Sequence, residues 1–170
     1  ASNLKEGSIS LFTFAYNLQS VPVGIIGISY SVAAFPVLVR YFSEKNIESF
    51  VGQITTAMKQ IIFWSLPIIA LFVVLRAQIV RVVLGANAFS WADTRITAAA
   101  VAIFVLSLVT QGLVLLLVRG YYASGNTKKP LISSLVSSFA IIFLAKIFSY
   151  LFENNQSFVF FVEKVLRVEN

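Results

Sequence analysis

Lys, Arg, Asp and Glu are missing from four long stretches of this 170-residue chain, at residues 7–39, 60–75, 96–118 and 130–145. Most of the Lys, Arg, Asp and Glu sit in short connectors between them. A bilayer core takes roughly 20 apolar residues per helical crossing, and a charge at its centre costs roughly 3 kcal/mol on insertion scales. Charged residues make up 12% of the chain, where a soluble domain carries about 25%. The mean hydropathy of +0.87 points the same way. The chain therefore reads as an integral membrane protein. Backbone polar groups in lipid must be satisfied internally, which leaves helices or a closed barrel. Runs such as 61–75 and 98–117 are apolar on every side and show none of the alternation of a barrel strand, so the expected class is all-α, a polytopic helix bundle with about four transmembrane helices.

The residue inventory excludes several chemistries. There is no Cys and no His, so this chain offers no disulfide framework, no thiolate or imidazole metal site and no His-based catalysis. No nucleophile–base pair stands out, and no cofactor motif does either. The glycines around Gly120–Gly125 lack the strand context of a phosphate-cradling loop. The net charge of +6 is spread over the connectors, which fits membrane flanks and not nucleic-acid binding. The chain opens on a polar stretch, Ser2-Asn3-Leu4-Lys5-Glu6-Gly7, without the features of a signal peptide, and closes on Val168-Glu169-Asn170. Both ends read as cuts, and we expect an internal piece of a longer chain.

The first uncharged run is too long for one straight crossing, since 33 residues span roughly 50 Å against a core of about 30 Å. Pro22 and Pro36 lie inside it, with Gly24 and Gly27 just beyond the first. The expectation is a first helix over about 8–41, kinked near Pro22 and Gly24. A second helix covers 47–75, with another kink at Pro67. Residues 76–90 form an interfacial connector, where Ile79, Val80, Val82, Val83 and Leu84 surround Arg81; Gly85 can end it and Ser90 or Asp93 can cap the next helix. Third and fourth helices cover 91–118 and 130–152, with Pro130 at a helix start where its missing N–H is harmless. Residues 153–170 form a loop and an amphipathic segment. Charge does not set the orientation: six basic residues fall on either side.

In the first helix Ser10, Thr13, Asn17, Ser20, Gly24, Gly27, Ser31 and Ala34 recur at steps of three and four, one face of a helix. Lipid gains nothing from such a face. It serves close helix packing, or it lines a hydrated cavity. Tyr16, Asn17 and Gln19, with Thr13 and Ser20, are more polar than packing requires and are the candidate cavity residues. The stripe Ser49, Gln53, Thr56 and Gln60 on the second helix fits a hydrated helix end. Thr97, Ser107, Thr110 and Gln111 on the third, and Ser133, Ser134, Ser137, Ser138 and Ser149 on the fourth, fit helix–helix contact. Lys146 lies about two turns from the end of its span, within reach of the interface for a snorkelling stem. No carboxylate lies inside a span.

Three stretches together resemble the MurJ/MviN family of lipid II flippases, in the multidrug/oligosaccharidyl-lipid/polysaccharide exporter superfamily. They are Glu6-Gly7-Ser8-Ile9-Ser10 with Asn17-Leu18-Gln19-Ser20-Val21-Pro22-Val23-Gly24-Ile25-Ile26-Gly27-Ile28; then Leu84-Gly85-Ala86-Asn87-Ala88-Phe89-Ser90-Trp91-Ala92-Asp93-Thr94; then Arg119-Gly120-Tyr121-Tyr122-Ala123-Ser124-Gly125-Asn126-Thr127-Lys128-Lys129-Pro130. In the last, Arg119, Tyr122, Asn126, Thr127 and Pro130 carry the match. The resemblance implies a partial lobe of a MATE-like transporter, about helices eight to eleven of fourteen, with 41–46 and 120–129 on the cytoplasmic side. It also implies alternating access for a lipid-linked peptidoglycan precursor in the bacterial cytoplasmic membrane. The implied partners are that glycan lipid, membrane lipids and the remaining helices of a full-length chain. One position departs: the family pattern has a cavity-facing Arg where this chain has Asn17, which can hydrogen-bond a phosphate oxygen but brings no charge. Two other readings stand beside this one, a polysaccharide-lipid exporter of the same superfamily and a non-transporting membrane scaffold.

Overall fold

A computed structural model of the chain describes the backbone of residues 8–84 and 91–154. Among the described residues there are only helices and tight turns. Helix α1 (Ser8–Pro22) passes through a π-helical turn (Val23–Ile28) into α2 (Ser29–Ser43). Then come α3 (Ile47–Leu84), α4 (Trp91–Leu106), α5 (Leu108–Ala123) and α6 (Lys128–Asn154). The segments Phe12–Ser43, Ile47–Val83 and Lys128–Tyr150 are each long and apolar enough to cross a membrane, and the bent pair α4–α5 passes the same test when its two helices are taken together. This is a multi-pass membrane protein. The Gly85 stop, the Ser90 cap, the polar N-terminal stretch and the amphipathic segment within 153–170 fall outside the described residues.

Several boundaries differ from expectation for local reasons. The chain does not stop at Pro22. Proline lacks the N–H that would bond back one turn and its ring crowds that carbonyl, and the backbone continues as a π turn, which takes in about one extra residue. Residues 76–84 are the last turns of α3 and not a separate interfacial helix, because nothing from Leu75 to Leu84 is a Pro or Gly that would end it. That makes α3 38 residues long, about 57 Å. Pro67 lies inside it without ending it. The third helix is two: α4 and α5 meet at 42° on Ser107. Ser107 has ψ near −4°, and its hydroxyl donates to the Phe104 carbonyl at 2.6 Å, competing with the backbone ladder. The fourth helix begins at Lys128, which puts Pro130 inside its first turn, where a missing N–H is still tolerated.

Two turns share one design. After α2, Lys45 adopts a left-handed φ of 55°, and its N–H and that of Asn46 bond to the carbonyls of Phe42 and Tyr41 at 3.1 and 3.0 Å. This pattern closes the helix end. Asn46 then caps α3, its Oδ1 accepting from the Ser49 N–H at 3.0 Å. After α5, Gly125 has φ 70° and Asn126 Oδ1 accepts from the Lys129 N–H at 3.3 Å.

The chain divides into two compact units, Ala1–Ser124 and Gly125–Asn170. The first holds two separate apolar cores. One gathers Ile26, Ala34, Leu38, Ala57, Ile61, Leu108, Leu116 and Ala123, from the π turn, α2, the first half of α3 and α5. The other gathers Ala15, Val80, Ala98, Ala100, Val101 and Val105, from α1, the far end of α3 and α4. In the first core the π turn and α5 approach backbone to backbone: a Cβ on Gly27 would lie 3.0 Å from the Gly112 Cα. The second unit is built on α6, whose side chains from Leu131 to Tyr150 are all exposed.

Candidate functional site

Helix α1 carries two unlike faces. Ala15, Gln19 and Pro22 are buried, with Ala15 in the second core. Thr13, Tyr16, Asn17 and Ser20, at spacings of three and four, are exposed on the opposite side. Tyr16 is 60% exposed. The Ser20 hydroxyl donates to the Asn17 backbone carbonyl at 2.7 Å, and Asn17 itself is exposed. This polar face carries no formal charge from Thr13 to Gly24. It can donate and accept hydrogen bonds but cannot neutralise an anion.

The expected seam does not run straight. Thr13, Asn17 and Ser20 are exposed, whereas Gly27, Ser31 and Ala34 are buried. The π turn lies between the two groups, and one extra residue rotates everything beyond it by roughly 100° about the axis. Residues that share a face by α-helical counting are thereby sent to different environments: the half before Pro22 faces outward and the half after it packs. Ser31 shows the packing role, its hydroxyl bonding back to the Gly27 carbonyl inside the helix. A methyl group added at Gly24 would meet nothing within 4 Å, so space and not contact surrounds it.

Gln19 does not join the exposed group. It is 1% exposed, and its Nε2 reaches the Ser107 Oγ at 3.4 Å. The same oxygen accepts from Gln111 Nε2 at 2.6 Å. Gln19, Ser107 and Gln111 therefore form an interior polar network across α1 and the α4–α5 break. The pairing was hidden in the sequence because the three residues are 88 positions apart or separated by a bend; the available signal was two polar residues one turn apart, Ser107 and Gln111, in an otherwise apolar stretch.

The remaining expected residues lie elsewhere. Pro67 is exposed on α3. Arg119 is half-buried and Tyr122 exposed near the end of α5, while Asn126 caps α6 and the Thr127 carbonyl accepts from the Leu131 N–H at 3.4 Å. These motif residues build a turn and are not gathered with Asn17. On α3, Ser49 and Gln53 are half-buried and Thr56 and Gln60 exposed, and the Thr56 hydroxyl bonds back to Gly52 at 2.9 Å. Among the described residues, no three acidic side chains come together as a metal site would need.

Residues 1–160 match the family model described as lipid II flippase MurJ. The chain belongs to that family. It is 30% identical over 136 residues to a probable lipid II flippase MurJ of Rickettsia prowazekii, covering 80% of this chain and 27% of the relative. It is 29% identical over 147 residues to one from Bdellovibrio bacteriovorus (86% and 28%), and 28% identical over 127 residues to one from Rhizobium tropici (75% and 24%). The chain thus spans about a quarter of the length of the curated relatives it matches. No solved structure matches. The Gly27–Gly112 crossing holds the π turn closely against α5.

Proposed function

We propose that this chain is part of a flippase that moves a lipid-linked peptidoglycan precursor across the bacterial cytoplasmic membrane by alternating access. The observation that carries the reading is the outward polar face Thr13, Tyr16, Asn17 and Ser20 on a helix otherwise built for hydrocarbon, in a chain of the MurJ family. The side chains of Tyr16 and Asn17 are exposed on this face, and polar groups so placed in a membrane are met by water or a polar partner. A hydrated path between two lobes supplies both, and an amphiphilic cargo can slide its head group along it while its tail stays in lipid. The protein acts as a carrier and not as an enzyme: the relatives are named flippases, and its polar face is made of amides and hydroxyls suited to transient hydrogen bonds. Asn17 and Tyr16 contact the glycan or pyrophosphate head group, with the anionic charge met by residues elsewhere in the full-length protein.

The test uses the full-length chain in cells depleted of their own flippase. The parent restores growth, and Asn17→Leu lowers rescue while the protein still reaches the membrane. Single cysteines at 16, 17 and 20 react with a membrane-impermeant thiol reagent, whereas one at 19 does not. A parent that fails to rescue despite good membrane expression overturns the reading. So does a cysteine at 17 that stays unreactive under every condition.

A further inference from the structure

The first unit is not one bundle but two half-bundles stacked end to end. Their cores are separate, and among the described residues Ile69 of α3 is the one partly buried residue that packs against both. Two of the three helical paths that pass from one half to the other are altered at this level, and the third carries a proline there. The path from α1 to α2 goes through the π turn Val23–Ile28, directly after Pro22. The path from α4 to α5 breaks by 42° at Ser107. Helix α3 is continuous, yet its proline, Pro67, lies two residues from Ile69. Bends and π turns expose or lengthen backbone hydrogen bonds and concentrate φ/ψ change on a few residues, which is what hinges do. The level between the cores is also filled unlike either core, by the Gln19–Ser107–Gln111 network, with the Ser107 oxygen accepting from two amides at once.

From these features we infer that the level of Pro22–Ile28, Pro67 and Ser107 is a hinge within the lobe, on which the two half-bundles rock as rigid bodies, and that the Gln19–Ser107–Gln111 network latches one of its positions. A polar latch suits this place. Apolar packing across the level would fuse the two cores into one, whereas hydrogen bonds between membrane helices are weak enough to exchange partners. Deleting the shared oxygen changes the ratio of the two positions by roughly threefold to tenfold. The inference goes beyond the transport reading, since it concerns the lobe's own mechanics and needs no cargo.

Pulsed electron–electron spin spectroscopy on the full-length chain in lipid nanodiscs, freed of any other cysteine, tests it without substrate. Labels at Val32 and Val51 report within the half that holds α2, and labels at Val83 and Ile103 within the half that holds α4; all four residues are exposed. Labels at Ile96 and Leu117, also exposed, straddle the break. The two internal pairs give one narrow distance each, and the straddling pair gives two. Ser107→Ala, a small change in volume, shifts the ratio of the two by threefold to tenfold and leaves the internal pairs unmoved; Gln19→Leu shifts it in the same direction. A straddling pair as narrow as the internal ones overturns the hinge. A ratio indifferent to both substitutions overturns the latch.

Discussion

Gly112→Ala is the substitution whose effect is read most directly from the packing. The added methyl would lie 2.9 Å from the Ile61 Cγ2 and 3.5 Å from the Gly27 Cα. Carbon atoms prefer separations of about 3.5–4.0 Å, so the first contact is short by roughly 0.6–1.1 Å. The Ile61 methyl cannot swing away, because it branches at Cβ on a helix where one rotamer dominates, and Ile61 is fully buried. The helices must part instead, which forfeits contact along the whole π turn–α5–α3 crossing. Overpacking of this kind costs about 1–3 kcal/mol. Gly52→Ala is the control: nothing lies within 4 Å of its added methyl, and it gains up to ~1 kcal/mol of helix propensity. Thermal unfolding of the full-length protein in detergent, followed by intrinsic fluorescence, should show Gly112→Ala melting well below the parent and Gly52→Ala at or above it. The double substitution with Ile61→Ala sharpens the test, because the new methyl fills part of the space that Ile61→Ala opens. The pair should couple favourably by about 1–2 kcal/mol. Equal melting of the two alanine variants, or strict additivity of the double, would refute the crossing as described.

The turns and the first helical span allow further checks by the same melting assay. Lys45→Gly relieves a left-handed backbone and should stabilise by about 1 kcal/mol, whereas Gly125→Ala imposes the same strain and should destabilise by a similar amount. Asn46→Ala removes a helix cap worth about 1 kcal/mol, which Asn46→Asp or Asn46→Ser should preserve. Ser31→Ala should be within about 1 kcal/mol of the parent, because its buried hydroxyl bonds only within its own helix, while Ser31→Leu should destabilise strongly through overpacking. Arg40→Ala should leave the melt unmoved within about 0.5 kcal/mol, since its ion pair with Glu44 at 2.9 Å is well exposed.

Charge spacing alone was enough to set the class of this protein: four uncharged stretches long enough to cross a bilayer make a helical membrane protein, because lipid offers backbone groups no other partner. The order and spacing of its motifs were enough for the family. The caps Asn46 and Asn126 are local too, each side chain accepting from the backbone of the helix after it. Faces and breaks were not legible in the same way. Counting by threes and fours put Asn17 and Ser31 on one seam, and a single π turn separated them, since the phase of a helix depends on every turn before it. Gln19 read as a cavity residue beside Asn17 and is buried instead, because its environment is set by Ser107 and Gln111 from a distant helix. A kink was expected at Pro67 as at Pro22; the chain after Pro22 passes into a π turn, whereas α3 runs on through Pro67 without ending. Local chemistry sets which bonds a residue can make; the packing of distant helices sets which neighbours come near enough to make them.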